Sequence, residues 1–341
     1  MIVNPTVSIV TGTYNSDLAI FSNVLDSLKS QTYSKYIIEH IIMDGGSTNA
    51  IASLARKYGC TVIVRPDLRD KEQYRFSLGL KKAKGDLVLI LESDNIPVGE
   101  NWLACLVEPM IKEDIFCSYP MHNDYRDDMS FLTKYTALIG SPDPTLYYLQ
   151  KSDKEPIVND LYTKGYVIRK SARYSVVRFN SDNTPTLGDN GFLINRSILN
   201  EAIKKQRSYI HVDAFQDIVQ RGHNTVAVIH NSIIHVMGNN ILLHIKRRVA
   251  IKQLFTDEKS AERTYHVMDW TSSRDRWNLF KYVIYSLTFV EPIIFSIRGY
   301  VKRRDVAWFL HPIMCFLMVI AYGYSEIEFH GKKLFKRLFV I

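Results

Sequence analysis

The first 95 residues alternate between two hydrophobic periods. Short apolar runs at residues 7–11, 37–43, 61–64 and 87–91 read as strands. The fourth, Leu87-Val88-Leu89-Ile90-Leu91, contains no polar side chain, as expected of a strand covered on both faces in a parallel sheet. Between these runs, Leu18, Phe21, Leu25 and Leu28 follow helical spacing behind a capping Asn15 or Ser16. Residues 48–58 read as a helix closed by Gly59, and residues 71–84 as one stopping at Gly85. This alternation predicts an α/β fold with right-handed crossovers and a mostly parallel central sheet. Ligands of such sheets bind beyond the carboxyl ends of the strands. Residues 96–240 are less regular, with loop signals at 140–144 and 181–190, an apolar segment at 191–194 and a helix expected at 197–206. No internal repeat is present.

The pattern changes again near the carboxyl end. Residues 282–297 and 307–324 are apolar apart from Glu291-Pro292 and His311-Pro312. Each stretch is slightly short for a membrane span, which needs about 20 residues. Of the charged residues, 17 Lys and Arg against 9 Asp and Glu fall in residues 241–341, a difference equal to the whole net charge of +8. Arg298, Lys302, Arg303 and Arg304 lie between the two apolar stretches and would face outward if both crossed a bilayer, against the positive-inside tendency. The expectation is therefore a re-entrant or in-plane helical hairpin against an anionic membrane surface, with two buried core helices as the alternative. The expected organisation is a nucleotide-binding domain over residues 1–240, divided at residue 95, followed by a basic C-terminal region over residues 241–341.

With 46% hydrophobic residues among 341, the chain can bury a large core and is not a disordered protein. The four cysteines, Cys60, Cys105, Cys117 and Cys315, form no C-x-x-C pair, which argues against a zinc site or disulfide framework and fits a reducing compartment. The amino terminus carries no secretory pattern, so the expected location is the cytoplasmic face of the cell membrane.

Candidate chemistry sits at the strand ends. Glu92-Ser93-Asp94-Asn95 follows the fourth strand, and two acids one residue apart can grip a hard divalent cation that in turn holds a diphosphate. The first strand runs through Thr11, Thr13, Tyr14 and Asn15 into a small-residue turn at a helix head, where backbone N–H groups are available to an anion or a nucleobase. The second ends in Asp44-Gly45-Gly46-Ser47, where Asp44 could accept from a base or ribose while the glycines allow close approach. Taken singly, the Glu92-Asp94 pair is equally a solvated turn, the turn after the first strand is an ordinary β-α turn as readily, and the Asp44 turn is more commonly a helix cap. Farther on, Asp189, Asp213, Asp217 and His235 supply acids and an imidazole, and Lys246, Arg247 and Arg248 supply cations for phosphate or acceptor contacts, or else a solvated helix face.

In the order in which they occur, these segments resemble glycosyltransferase family 2, the inverting nucleotide-sugar enzymes of the GT-A fold. The resemblance rests on residues 7–15, on Asp44-Gly45-Gly46-Ser47-Thr48, on residues 79–86 and on Glu92-Ser93-Asp94 at the family's D-x-D position. Later it rests on residues 187–196 and on Val212-Asp213 at its acidic pair, so that it covers about residues 5–240. It implies that Thr13 and Asp44 touch the nucleotide, Asp44 at the base. It further implies that Asp94 is the main ligand of Mn2+ or Mg2+ with Glu92 nearby, that His235 completes the metal site, and that Asp213 deprotonates the acceptor hydroxyl, with Asp189 as second choice. Glu92 and Val212 depart from the family's usual Asp and Glu. The implied partners are a nucleotide-diphosphate sugar and a glycan or lipid-linked acceptor of cell-surface polysaccharide or lipid-linked glycan synthesis. A sugar nucleotidyltransferase would be expected to carry a basic glycine-rich loop after the first strand, and residues 11–17 hold no Lys or Arg. A non-enzymatic protein binding anionic lipid or nucleic acid through its tail is the other alternative, and the long aliphatic runs of that tail favour lipid over nucleic acid.

Overall fold

A computed structural model describes residues 4–113, 115–204, 209–258 and 260–339. The chain forms two compact units. The first comprises Met1–Asp124, Asp153–Glu155 and Asn159–Val236, and the second Tyr125–Ser152, Pro156–Val158 and Met237–Ile341.

In the first unit the elements run β1 (Val7–Thr13), α1 (Leu18–Lys29), β2 (Ile37–Asp44), α2 (Ile51–Lys57), β3 (Thr61–Val64), α3 (Glu72–Lys82), β4 (Leu87–Ile90), β5 (Asn95–Pro97), α4 (Trp102–Lys112) and β6 (Cys117–Asn123). After the segment that joins the second unit, where α5 (Phe131–Ile139) and α6 (Pro144–Tyr148) lie, come β7 (Tyr166–Lys170), β8 (Tyr174–Arg178), β9 (Phe192–Asn195), α7 (Arg196–Ile203), α8 (His211–Gln220) and β10 (Thr225–His235). Residues 205 and 206 of the helix expected at 197–206 lie outside the described residues.

The strands form one sheet in the order β3-β2-β1-β4-β9-β6-β10-β8-β7, with β5 paired to β10. It is mixed, not mostly parallel as the run lengths suggest. β1 pairs parallel with β2 and β4, β2 with β3, and β6 with β10, whereas β9 runs antiparallel between β4 and β6. Burial on both faces makes β4 apolar throughout, and that pattern is blind to a neighbour's direction. Alternating side chains feed two cores: Val10 and Met43 pack with Phe76 and Leu80 of α3, while Ile9 and Ile42 pack with Phe21 of α1 and Trp102 of α4. Helix α1 is capped by Asp17, not by Asn15 or Ser16: its Oδ1 accepts from the N–H groups of Ala19 and Ile20 at 2.9 and 3.0 Å. Asn15 instead adopts a left-handed φ of 47° and is used across the loop. At Gly85 a Cβ would stand 2.5 Å from the Ser8 backbone nitrogen, so only glycine lets β4 start this close to β1.

The second unit holds α5 and α6 together with α9 (Ile241–Lys252), α10 (Ser273–Thr288), α11 (Val290–Lys302) and α12 (Leu310–Phe339). Residues 125–152, read from sequence as part of the first domain, belong here because the apolar face of α5 (Leu132, Tyr135, Leu138) packs on Ala307, Trp308 and Met314. The apolar helix expected at 282–297 is two helices. The chain turns through Phe289 at φ 62°, and α10 and α11 meet at 83°. Pro292 has no N–H to continue the α10 ladder, so the break falls just before it. Residues 306–332 form one helical stretch long and apolar enough to cross a membrane by length and composition, with 44% of its apolar window buried in the protein.

Candidate active site

In the first unit β1, β2, β4, β6 and β10 all point the same way, so their carboxyl ends share one edge of the sheet. There the loops after β1 and β2 are stitched together. Thr13 Oγ1 donates to Asp44 Oδ1 at 3.0 Å, Ser47 Oγ donates to the same oxygen at 2.5 Å, and Asp44 Oδ2 accepts the N–H groups of Gly46 and Ser47 at 3.0 and 2.9 Å. Asn15 N–H donates to Ser47 Oγ at 2.8 Å, and Asn15 Oδ1 accepts from Thr48 N–H at 2.9 Å. Asp44, 1% exposed, thus holds the turn with both oxygens already engaged. Ser93 joins this set through a 2.8 Å contact between its hydroxyl and that of Ser16. Tyr14 is 38% exposed, with the Arg69 guanidinium 5.3 Å from its ring centre. Thr11 is not available to a ligand: it is fully buried and its hydroxyl lies 2.9 Å from His40 Nε2.

The acids meet because of β9. Ile90 pairs with Phe192, and Gly191 N–H donates to Ile90 O at 3.1 Å, so the chain entering β9 lies beside the chain leaving β4. Glu92 and Asp189 stand near each other there, each on the chain just beyond the paired residues. The approach is a glycine-dependent loop, with positive φ at Gly188, Asn190 and Gly191, and Tyr209 OH donates to Gly188 O at 2.7 Å. His211 Nε2 lies 3.5 Å from Asp189 Oδ2.

Two further charged groups come from α3. A Cβ on Gly12 would lie 3.5 Å from Glu72 Oε1, and one on Gly45 would lie 3.0 Å from Arg75 Nη1, so the first turn of α3 covers the ends of β1 and β2. Spaced three apart, Glu72 and Arg75 share a helix face. Burial pushes the Glu92 carboxyl well above the usual carboxylate range, and the Glu72, Asp94 and Asp189 carboxylates add to it, against Arg75. Glu72 is raised by burial, opposed by Arg75, and raised further by Asp94 and Asp189. Arg75, 2% exposed, donates through Nη1 to Leu68 O at 2.6 Å and to Arg69 O, and its Nε is buried without a hydrogen-bond partner.

Asp94 is held from the backbone. Val236 N–H donates to Asp94 O at 3.1 Å, and the antiparallel pairing of β5 with β10 sets His235 opposite Asn95. Asn95 Nδ2 donates to Asp94 Oδ1 at 3.1 Å, while its own Oδ1 is buried without a partner. Among the described residues no three His, Cys, Asp or Glu side chains already stand as a metal cage. The donor set still fits a hard divalent cation: clustered carboxylates that repel one another, with an orphaned amide oxygen beside Asp94.

Of the remaining candidates, Asp213 lies in the first turn of α8 and is 5% exposed. Lys246, Arg247 and Arg248 stand on α9 of the second unit, the first two exposed. Glu72, Arg75 and His211 belong to the site without a motif in the sequence that marks them. A helix-start acid and an arginine three residues on look like a solvated helix end, and the one signal for Glu72 and Arg75 is their place just upstream of residues 79–86, which carry part of the family resemblance.

The clustered carboxylates and the Asp44 turn thus share the carboxyl-end edge of the sheet. Residues 8–200 match glycosyl transferase family 2, and the chain belongs to that family. A mannosyltransferase from Pyrobaculum calidifontis, solved with GDP-mannose and Mn2+, superposes with a TM-score of 0.55 at 13% identity, covering 95% of this chain and 88% of that one. Glucosyl-3-phosphoglycerate synthase from Mycobacterium tuberculosis, solved with Mn2+, UDP and phosphoglyceric acid, gives a TM-score of 0.47 at 21% identity over 74% of this chain and 78% of that one. The protein is a glycosyltransferase of family 2, and its structural neighbours have the GT-A fold.

Proposed function

We propose that the protein transfers a sugar, with inversion, from a nucleotide-diphosphate sugar to a hydroxyl on a glycan or lipid-linked acceptor, in cell-surface polysaccharide or lipid-linked glycan synthesis. One observation carries this reading: Glu92, Asp94, Asp189 and Glu72 converge at the strand-end edge beside the Asp44 turn. Tyr14 offers a ring face to the base, and the Gly45-Gly46 turn lets the nucleotide approach the backbone. Asp94 and Glu92 would hold a divalent cation, Mn2+ or Mg2+, with His235 in register one residue away. When bound, the ion supplies charge neutralisation for the departing diphosphate. Arg75 keeps positive charge behind Glu92 and limits the repulsion among the acids.

Displacement at the anomeric carbon needs a carboxylate that takes the acceptor proton as the new bond forms, a contribution of about 10² to 10⁴ in rate. Of the two candidates we assign this step to Asp189. It shares the edge with Glu92, and His211 at 3.5 Å can orient its carboxylate. Asp213, buried in the first turn of α8, is the alternative base. Lys246, Arg247 and Arg248 are proposed contacts for phosphate or acceptor.

A panel of nucleotide sugars with Mn2+ or Mg2+, with and without a lipid-linked acceptor, tests the reading by release of nucleoside diphosphate. Asp189→Asn should abolish transfer while donor binding persists. Wild-type transfer by that variant together with loss in Asp213→Asn reverses the base assignment, and no release from any donor overturns the reading.

A further inference from the structure

The second unit has helices with inverted polarity. In α10 the buried positions are Asp275, Asn278, Tyr282 and Ser286, while Trp277, Phe280, Ile284 and Leu287 stand exposed at steps of three, four and three residues. In α11 the buried positions are Pro292, Ser296 and Gly299, and Val290, Ile293, Ile297 and Val301 are exposed. A water-facing helix shows the reverse arrangement. The inward face of α10 is polar, and that of α11 is small because it packs closely. A Cβ on Gly299 would stand 2.5 Å from the Trp308 ring, and Ser296 Oγ donates to Pro292 O and Trp308 O, each at 2.8 Å. Small residues between helices and large apolar ones outside are what hydrocarbon surroundings favour. The helical stretch over residues 306–332 adds a third outward row, with Phe309, Ile313, Ile320 and Ile327 exposed. Together these rows far exceed the single scattered apolar residues of an ordinary water-facing surface.

Charge follows the same plan. Arg274 and Arg276 are exposed at the start of α10, and Arg298, Lys302 and Arg304 at the end of α11. Residues 282–297 between them contain no Lys or Arg. Their one acid, Glu291, accepts a hydrogen bond from Tyr148 OH and so is satisfied within the unit. The bent pair is therefore apolar at its elbow and carries exposed basic residues at both outer ends, with Lys281 half-buried midway along α10. With 13 residues α11 is about 20 Å long, and at the 83° bend, if the two legs tilt equally, α11 reaches about 13 Å, a little under half of a ~30 Å hydrocarbon core.

We propose that α10 and α11 form a re-entrant wedge that enters one leaflet of an anionic bilayer, elbow first, with the basic ends at the headgroups. The occupant of the apolar face is lipid, and anionic headgroups are the chemistry of a cytoplasmic leaflet. The inference is independent of the catalytic assignment, because its readout is partition and not turnover.

Flotation of the full chain with vesicles of phosphatidylcholine mixed with phosphatidylglycerol should carry the protein to the top of the gradient. Ile293→Lys with Ile297→Lys should lower partition by at least about tenfold. Arg298→Gln with Arg304→Gln, at exposed positions, should lower it by about 25-fold at low salt, from about fivefold per basic residue near an anionic surface. Unchanged circular dichroism in the second pair shows that folding is intact. Protein that stays at the bottom, or that forms a dimer in buffer and ignores vesicles, overturns the proposal, as does equal flotation of both variants with pure phosphatidylcholine.

Discussion

Asp44→Asn separates a turn-holding role from a nucleotide-reading one. The carboxylate accepts four hydrogen bonds, two from backbone N–H groups and two from hydroxyls, inside a site where it is 1% exposed. An asparagine oriented with its oxygen toward Gly46 and Ser47 keeps both N–H bonds, and its amide can donate to hydroxyls that turn to accept. What is lost is the charge assistance. Hydrogen bonds to a charged group contribute about 1.5–3 kcal/mol and neutral ones about 0.5–1.5, so four weakened bonds, which do not add fully, cost about 2–3 kcal/mol. Hydrogen exchange of the β1 and β2 amides reports that local cost, and a loss of this size accelerates exchange by about 30- to 150-fold. Exchange within threefold of wild type, together with lost nucleotide affinity, would refute the turn argument and leave Asp44 as a base contact alone.

Other consequences follow from the same geometry. Because burial and like charges raise the folded-state value of Glu92, the native protein holds that proton more tightly than the unfolded chain, whose value is about 4.3. The associated stability is complete below the unfolded value and is lost as pH rises toward the folded one. Metal-free protein should therefore melt lower at neutral pH than near pH 5, and Glu92→Gln should flatten the difference; a wild-type difference unchanged in Glu92→Gln counts against the repulsive cluster. Asp94→Ala should lose Mn2+-dependent donor affinity by calorimetry, and unchanged nucleotide binding with Mn2+ would remove it as a ligand. Gly85→Ala should destabilise the β1–β4 pair strongly, since the added Cβ meets backbone at 2.5 Å; wild-type urea resistance would contradict that contact. Truncation after Gly238 should give aggregated protein, because it strips Trp308, Leu310 and Met314 from α5, and a soluble, cooperatively folding product would contradict that packing.

Sequence alone determined what local pattern encodes. The short apolar runs and the helically spaced apolar residues between them placed β1 to β4 and α1 to α3, and the strand ends placed Asp44, Glu92 and Asp94, because residues after a strand emerge at the sheet edge whatever packs around it. The family, too, was legible in the order of those motifs. Direction was not: β4 and β9 are both short apolar runs, and only the tertiary fold sets β9 antiparallel and carries Asp189 to Glu92. Tertiary structure alone also turned Glu72 and Arg75 inward, since a helix-start acid has the same sequence whether it faces water or three other carboxylates. Likewise, α5 joined the second unit through contacts some 170 residues away along the chain, an order of separation no local window can read.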